Sequence, residues 1–478
     1  MGNIVQYLQP RASITILHMV YGTEADQIGD TMSRTDEILN ALRSVTDPDL
    51  NRSIVELGFV RQIEGTESGD VVLGLALTTP ACPLREWFRE QCHQALNALP
   101  WVKSVQIRWL STPPATSRDS DHGLAQVSRI LAVGSCKGGV GKSTVAVNLA
   151  FSFARLGARV GIFDADIFGP SLPTMVHPRE RLIRVVNGRL LPLVYENVRL
   201  QSFGFVAQEE GPAIMRGPMV SQVLLQLLTQ TDWGELDYLV VDLPPGTGDI
   251  QLTLLQAVEL VAAVMVTTPQ ELSFVDVVKG IQMFDRLQVP VAGVVENMSW
   301  FQCPACGSTH HLFGPGVRER VREQFGIPLA CELPLLPEVS TWGDSGRPAV
   351  CAAPESEFAR RLNEFAAGLV REISRLEQQA EPRPEILWQP GTGILVRTPG
   401  QPDRVIAPAL LRSACACALC VDERTGQRRV ESKSVPANVH PVRIQPMGRY
   451  AVAVEWSDGH SSSIYPYDRL LALAQPVP

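Results

Sequence analysis

"VGSCKGGVGKSTVAVNLA", Val133 to Ala150, decides the fold. An apolar run leads into it, a helical pattern leads out, and glycines stand at 138, 139 and 141. Glycines there let backbone N–H groups curl around phosphate oxygens, and the helix start that follows favours an anion. Gly138, Gly139, Val140, Gly141 and Thr144 then form the cradle. Lys142 meets the β- and γ-phosphates, and Ser143 ligates magnesium, so the expected cofactors are ATP and Mg2+. A chance glycine-rich turn would lack one of the two flanks.

Outward from this loop, short apolar runs alternate with helical stretches. "RILAVGS", "RVGIFDAD", "DYLVVDLP", "LVAAVMVTT" and "VPVAGVVEN" are near-continuous, as expected of strands covered on both faces of a parallel sheet. The fold class is therefore α/β, a doubly wound, mostly parallel sheet. "LDYLVVDLPPGTGD" ends a strand at Asp242, placed to hold magnesium through water, with Gly246 and Gly248 as pivots of a phosphate-sensing loop. "FDADIFGPSLP" puts Asp164 and Asp166 after the second strand, where they orient magnesium and an attacking water, unless one only caps the next turn. Lys137, Lys142, Asp164 and Asp166 are the candidate catalytic residues.

The loop departs from the ordinary pattern at two places. Cys136 occupies the position of its first glycine, where a small packing thiol is the common case. Lys137 is an extra lysine, and with it KGGVGKST resembles the deviant Walker A of the MinD/ParA-like ATPases. That resemblance implies a homodimer in which Lys137 reaches the nucleotide of the other copy. It also implies that Asn297, at the end of a later strand, reads adenine.

"ENMSWFQCPACGSTHHLFG", Glu296 to Gly314, spaces Cys303 and Cys306 two residues apart, with His310 and His311 behind them. A zinc knuckle, a redox dithiol and half of an iron–sulfur site all fit two thiols. "GSCKGGVGKSTVAVNLA", "DADIFGPSLP", "VVDLPPGTGD" and "ENMSWFQCPACG", in this order, resemble the Mrp/ApbC iron–sulfur carrier ATPases. The resemblance implies that Cys303 and Cys306 of two subunits share a [4Fe–4S] cluster, with slow ATP hydrolysis coupled to holding or releasing it. The implied partners are apo iron–sulfur proteins and upstream cluster assembly factors. A two-fold axis doubles two thiolates into the four that a cluster needs; zinc held by Cys303, Cys306 and the adjacent histidines is the competing reading.

The flanks add two small segments, giving about 80, 250 and 90 residues, each of domain size. The expected division is 1–31 as a tail or upstream extension, 34–110, a linker at 111–125, 126–376, a linker at 377–393, and 394–476. Ala41–Trp109 reads as helix, hairpin, helix, strand. Its "DPDL" and "TTPACP" resemble PaaD- and SufT-like domains, which implies a role for Cys82 beside the reading of a half-buried structural thiol. Cys92 lies mid-helix and reads as core. "LLRSACACALC" sets out Cys415, Cys417 and Cys420 as three metal ligands, and a tetrahedral zinc needs a fourth. The segment resembles the zinc-binding domain that opens gamma-butyrobetaine hydroxylases, which implies His460 of "WSDGH" as that ligand, ahead of His440. Such a closed Zn2+ site is structural.

A net charge of −8 argues against nucleic acid, and no apolar run reaches the length of a membrane span. The first 31 residues hold one basic residue, Arg11, and match neither a signal nor a transit peptide, so a bacterial cytosol is expected. Two clusters of cysteines in a long chain suit metal sites in a reducing compartment. Spatial-organising MinD/ParA ATPases are the rival class, but they carry a membrane helix or basic face. Reductases resembling the nitrogenase iron protein are another, with cluster ligands far apart in sequence.

Overall fold

The computed structural model describes residues 33–478 apart from 49, 78–80, 111–122, 207–216, 247, 315, 317, 328, 380–383, 416, 418, 422–426, 430–433, 448–450, 462 and 477–478. The expected tail 1–31, most of the first linker and Thr78–Pro80 of "TTPACP" therefore lie outside the described residues.

The first segment builds a small α+β unit. α1 (Arg34–Leu42) begins where Ser33 Oγ accepts from Asp36 N, and it buries Ile38 and Leu42. β1 (Val60–Glu64) pairs antiparallel with β2 (Asp70–Leu75), α2 (Arg85–Asn97) follows, and β3 (Ser104–Trp109) returns parallel to β2. Cys92 on α2 is fully buried and its thiol is pushed up to about 12 by burial, as a core residue requires.

The middle segment is the sheet on which the glycine loop sits. In chain order it uses β4 (Val127–Gly134), α3 (Lys142–Arg155), β5 (Val160–Asp164), β6 (Leu193–Tyr195) and β7 (Val198–Ser202). Then come α4 (Gly217–Gln230), β8 (Leu236–Asp242), α5 (Asp249–Ala257), β9 (Ala262–Thr267) and α6 (Glu271–Arg286). β10 (Val291–Gln302), β11 (Thr309–His310), β12 (Ala330–Pro334) and the long α7 (Glu357–Gln379) complete it. The spatial order is β6-β7-β5-β8-β4-β9-β10-β11, with β12 also on β10. Only β6 and β11 run antiparallel to their neighbours.

Strands β5, β8 and β9 are buried at every position, because helices cover both faces. α3 and α7 pack one core against the sheet, with Phe151, Phe153, Leu362 and Leu369 buried. α4, α5 and α6 pack the other, with Leu224, Leu254 and Phe284. Each helix follows its strand, so the strands' C-terminal ends, and the loops that leave them, meet at one edge.

Glu377–Gly393, expected as a linker, is shorter than that. α7 runs on to Gln379, and Glu385–Gln389 forms β13, paired antiparallel with β14 (Gly393–Arg397). The reason is alternation, since Ile386 and Trp388 are half-buried against the last core while their neighbours face solvent. β15 (Arg404–Ile406), α8 (Pro408–Ser413), β16 (Pro441–Met447), β17 (Ala451–Trp456) and β18 (Ser463–Pro466) then build a small β-rich unit.

Candidate functional site: a glycine loop and two groups of cysteines

The loop between β4 and α3 is shaped by left-handed glycines. Gly139 has φ +79 and Gly141 φ +81, and an added Cβ on Gly141 would stand 2.2 Å from the Asn297 amide nitrogen. A cleft of about 570 Å³ opens over the loop, bordered by Gly138, Gly139, Gly141, Lys142, Ser143, Thr144 and Asp166 among others. Lys142 is buried; its Nζ donates to Asp242 Oδ1 at 2.5 Å and to Ser143 Oγ at 3.1 Å.

Asp164, at the end of β5, is also buried. Its Oδ2 accepts from the N–H groups of Ser171 and Leu172, each at 3.0 Å, and from Ser202 Oγ at 3.1 Å. Burial, and next the charge of Asp242, push the Asp164 carboxyl up to about 7. Burial raises Asp242 as well, with Lys142 opposing. Two buried carboxylates thus share one lysine, a donor set that suits a divalent cation once phosphates draw Lys142 away. Asp166 does something different: its Oδ1 accepts from Phe168 N and Gly169 N, so it caps the turn while bordering the cleft.

Lys137 is exposed at the rim of the loop, and Ser135 Oγ donates to its carbonyl. Cys136 packs against the core beneath α6, close to Gly280, and burial takes its thiol up to about 11. Asn297 is not at the end of its strand but in the middle of β10, and its amide donates to Val140 O at 3.0 Å. It therefore reaches the loop backbone itself, bordering a second cavity of about 270 Å³ with Gly141 and Thr144.

Cys303 and Cys306 form a tight turn past the end of β10. Cys303 N donates to Ser308 O at 2.9 Å and Gly307 N to Cys303 O at 2.8 Å. Cys303 is half-buried and Cys306 exposed, and the Ser308 hydroxyl at 3.2 Å leads the contacts that hold the Cys306 thiol below its ordinary value. His311 is turned away to the Ser299 carbonyl, at 3.2 Å, while His310 is an exposed residue of β11. Among the described residues, three or more metal-capable side chains converge only elsewhere.

That convergence is Cys415, Cys417, Cys420 and His460, whose donor atoms lie within 4.8 Å of one another. His460 Nε2 is 3.5, 3.4 and 3.7 Å from the three sulfurs in that order. Zinc–sulfur and zinc–nitrogen bonds at a tetrahedral angle put S and N about 3.5 Å apart, so the quartet has the dimensions of a Cys₃His zinc site. His440 is elsewhere, stacked on Trp388. Burial raises Cys415, but hydrogen bonds led by Ser463 outweigh it and bring the thiol down to about 6. Cys420 is pushed up to about 11 by burial, against a hydrogen bond from Arg412. Arg412 Nε in turn bonds Asp458 Oδ2 at 2.8 Å, and Asp458 Oδ1 accepts from His460 N. Sequence reasoning missed Arg412 and Ser463, and equally Ser202 behind Asp164. Asp458 was legible inside "WSDGH".

A glycine loop with its lysine on a buried strand-end aspartate, at the C-terminal edge of a parallel sheet, defines a P-loop NTPase. The family model of the NUBPL iron-transfer P-loop NTPases matches residues 126–370, and the chain belongs to that family. Residues 35–109 match the iron–sulfur cluster assembly protein model, and 391–471 that of the gamma-butyrobetaine hydroxylase-like N-terminal domain. The chloroplastic Fe-S cluster assembly factor HCF101 of Oryza sativa subsp. japonica is 46% identical over 95% of this chain and 86% of its own length. An iron–sulfur cluster carrier protein of Synechocystis is 43% identical, covering 72% of this chain and 99% of itself. Among solved structures, a nucleotide-binding protein from Archaeoglobus fulgidus in complex with ADP is 36% identical. The match covers 49% of this chain and 92% of that one, with a TM-score of 0.44.

Proposed function

We propose that this protein is an ATP-regulated iron–sulfur scaffold or carrier, which holds a [4Fe–4S] cluster between two copies and delivers it to apo-proteins. The observation that carries this reading is the Cys303–Cys306 turn. Two thiols stand at an open surface with no third ligand from the adjacent histidines, past the end of the strand whose Asn297 touches the nucleotide loop. A second copy brings the same pair, and a shared, solvent-near site suits a cluster that must leave.

At the nucleotide, the loop N–H groups and Lys142 bind phosphate, Ser143 and Asp242 hold magnesium, and Asp164 sets the position of the Asp166 turn. Bound magnesium would neutralise charge on the phosphates as they react. Lys137, exposed at the rim of its own cleft, reaches the nucleotide of the second copy in the dimer. Hydrolysis is slow and linked to cluster loading or release, as befits a carrier rather than a metabolic enzyme. Cys415, Cys417, Cys420 and His460 hold a structural Zn2+, and the setting is the cytoplasm. Among the described residues no helix is long and apolar enough to cross a membrane.

Anaerobic reconstitution tests the reading. Wild-type protein turns brown with broad absorption, elutes as a dimer, and restores an apo-acceptor; Cys303→Ala does none of these while still binding nucleotide. Wild-type protein that takes up no iron would sink the proposal. ATP-driven electron delivery without cluster transfer would favour the reductase reading instead.

A further inference from the structure

One strand touches both the nucleotide loop and the cysteine turn. β10 carries Asn297 bonded to Val140 O in its middle, and Cys303 follows directly after its last residue, Gln302. Five residues, Met298 to Gln302, separate the two, a span of at most about 20 Å. A continuous strand that long would be a stiff strut, yet this one is interrupted between them. Its pairing with β12 shifts register between Glu296 and Trp300, and Met298 has φ +58. A non-glycine residue in the left-handed region is held there by its surroundings, and bulges of this kind gather beside functional sites.

The surroundings are polar and specific. Ser299 Oγ donates to Glu296 O at 2.7 Å and lies 2.9 Å from Glu296 Oε1, which closes the bulge on itself. Ser299 O receives His311 Nδ1. His311 directly follows β11, which pairs Phe301 with His310 and Gln302 with Thr309 and so forms the hairpin bearing both cysteines. On the other side, Asn297 and Met298 border the 270 Å³ cavity beside Gly141 and Thr144. Gly141 leaves no room for a side chain there, so Asn297 packs directly on the loop backbone that it also holds through Val140 O. Lys142 rests on Asp242 in this structure, so a phosphate that draws Lys142 away breaks that contact within the loop whose Val140 carbonyl Asn297 holds.

We infer that the Glu296–Trp300 bulge is the coupling element of this protein: it reads nucleotide occupancy at Asn297 and passes it to the Cys303–Cys306 hairpin through Ser299 and His311. This rests on the carrier reading above and names how that site is regulated. Coupling between distant sites needs an element that both ends can bias, and this bulge is bonded to the nucleotide loop at Asn297 and to the cysteine hairpin at Ser299. Linkage makes the effect reciprocal: the cluster changes nucleotide affinity by the factor by which nucleotide changes cluster retention.

The experiment uses the full chain, reconstituted anaerobically, and follows decay of cluster absorbance into an iron chelator, with and without Mg2+ and a non-hydrolysable ATP analogue. Wild type is expected to show about a fivefold or larger ratio of rates, the ordinary scale of coupling between sites. Met298→Gly removes the need for a held left-handed residue, and Ser299→Ala opens the bulge; both bring the ratio close to one. Ser299→Thr keeps the hydroxyl and keeps the ratio. Fluorescent-nucleotide titration of loaded and unloaded protein supplies the second readout, and the same variants lose the affinity difference. Variants that keep a wild-type ratio overturn the inference and leave the carrier reading standing. Wild type that holds a cluster indifferent to nucleotide also overturns it, whereas wild type that holds no cluster removes the carrier reading itself.

Discussion

Cys303, half-buried, and Cys306, exposed, sit on a hairpin turn; Cys415, Cys417, Cys420 and His460 close on a common centre. Both groups are short cysteine clusters in sequence, and the difference lies in what stands behind them. Behind the pair there is a Ser308 hydroxyl, a strand end and a bulge. Behind the quartet there is buried Arg412 on Cys420, fully buried Ser463 on Cys415, and Asp458 holding both Arg412 and His460. In the proposed function, the enclosed donor set with fixed outer partners keeps its metal, and the open pair of thiols gives its cluster up. Spacing alone does not separate the two groups; their enclosure differs.

The sharpest way to break the comparison is to remove a ligand from the enclosed site. Cys415→Ser is expected to abolish zinc in the purified protein and to unfold the C-terminal unit. Binding at such sites is worth about 10–16 kcal/mol and is folding free energy. Metal analysis together with proteolysis after 380 checks it; a zinc-free, protease-resistant unit would mean that its apolar core, built on Ile394, Val454 and Tyr465, suffices alone. Cys303→Ser is the counterpart. It should lose all reconstituted iron yet change folding stability by no more than about 0.5 kcal/mol, as an exposed turn allows. A large drop in melting temperature would say that this turn, too, is structural.

Thiol chemistry sharpens the same contrast without mutation. Cys306 is exposed, with its thiol below the ordinary value, so the thiolate that reacts is present at lower pH than usual. Iodoacetamide should modify it at least about tenfold faster than Cys331, which burial pushes up to about 12. The rate should fall as pH falls through the Cys306 value, since protonation removes the nucleophile. Cys415, Cys417 and Cys420 should react only after a zinc chelator is added, as peptide mapping of the alkylated protein would show.

Much of this was legible in the sequence because the signals were local. The glycine loop and the buried runs of β5, β8 and β9 each depend on residues within a few positions of one another, whereas His460, 40 to 45 residues from its cysteines, was implied only by the resemblance of "WSDGH" to a known domain. What was not legible depends on pairing across long stretches of chain. β6 and β7 are short, and their burial comes from α3 and β5 rather than from their own pattern. Lys142 on Asp242 joins positions 100 residues apart, and Asn297 on Val140 joins positions 157 apart. The linker reading of Glu377–Gly393 failed for a related reason. Glutamine and proline suggest a break, but Ile386 and Trp388 find a core only when the last unit folds over them.

The gentlest test of the comparison is Ser463→Ala, which leaves every ligand in place. Ser463 Oγ lies 3.4 Å from Cys415 Sγ as donor and accepts from Trp456 Nε1 at 3.0 Å, and both residues sit in the core of the C-terminal unit. Alanine would leave the buried indole N–H without its acceptor, at a cost of about 1–3 kcal/mol. It would also take from Cys415 the leading hydrogen bond that opposes burial, so its thiolate becomes harder to form and metal affinity falls about tenfold. Zinc should still be present at full stoichiometry at neutral pH, be removed faster by a chelator, and be lost at higher pH than from wild type as acid is added. That direction follows from the sign: a thiol whose value rises binds its proton sooner on acidification and releases the metal earlier. Iron at Cys303 and Cys306 should be untouched. If chelator release were unchanged, the hold on the metal would come from the four ligands alone, and enclosure would not be what separates the two cysteine groups.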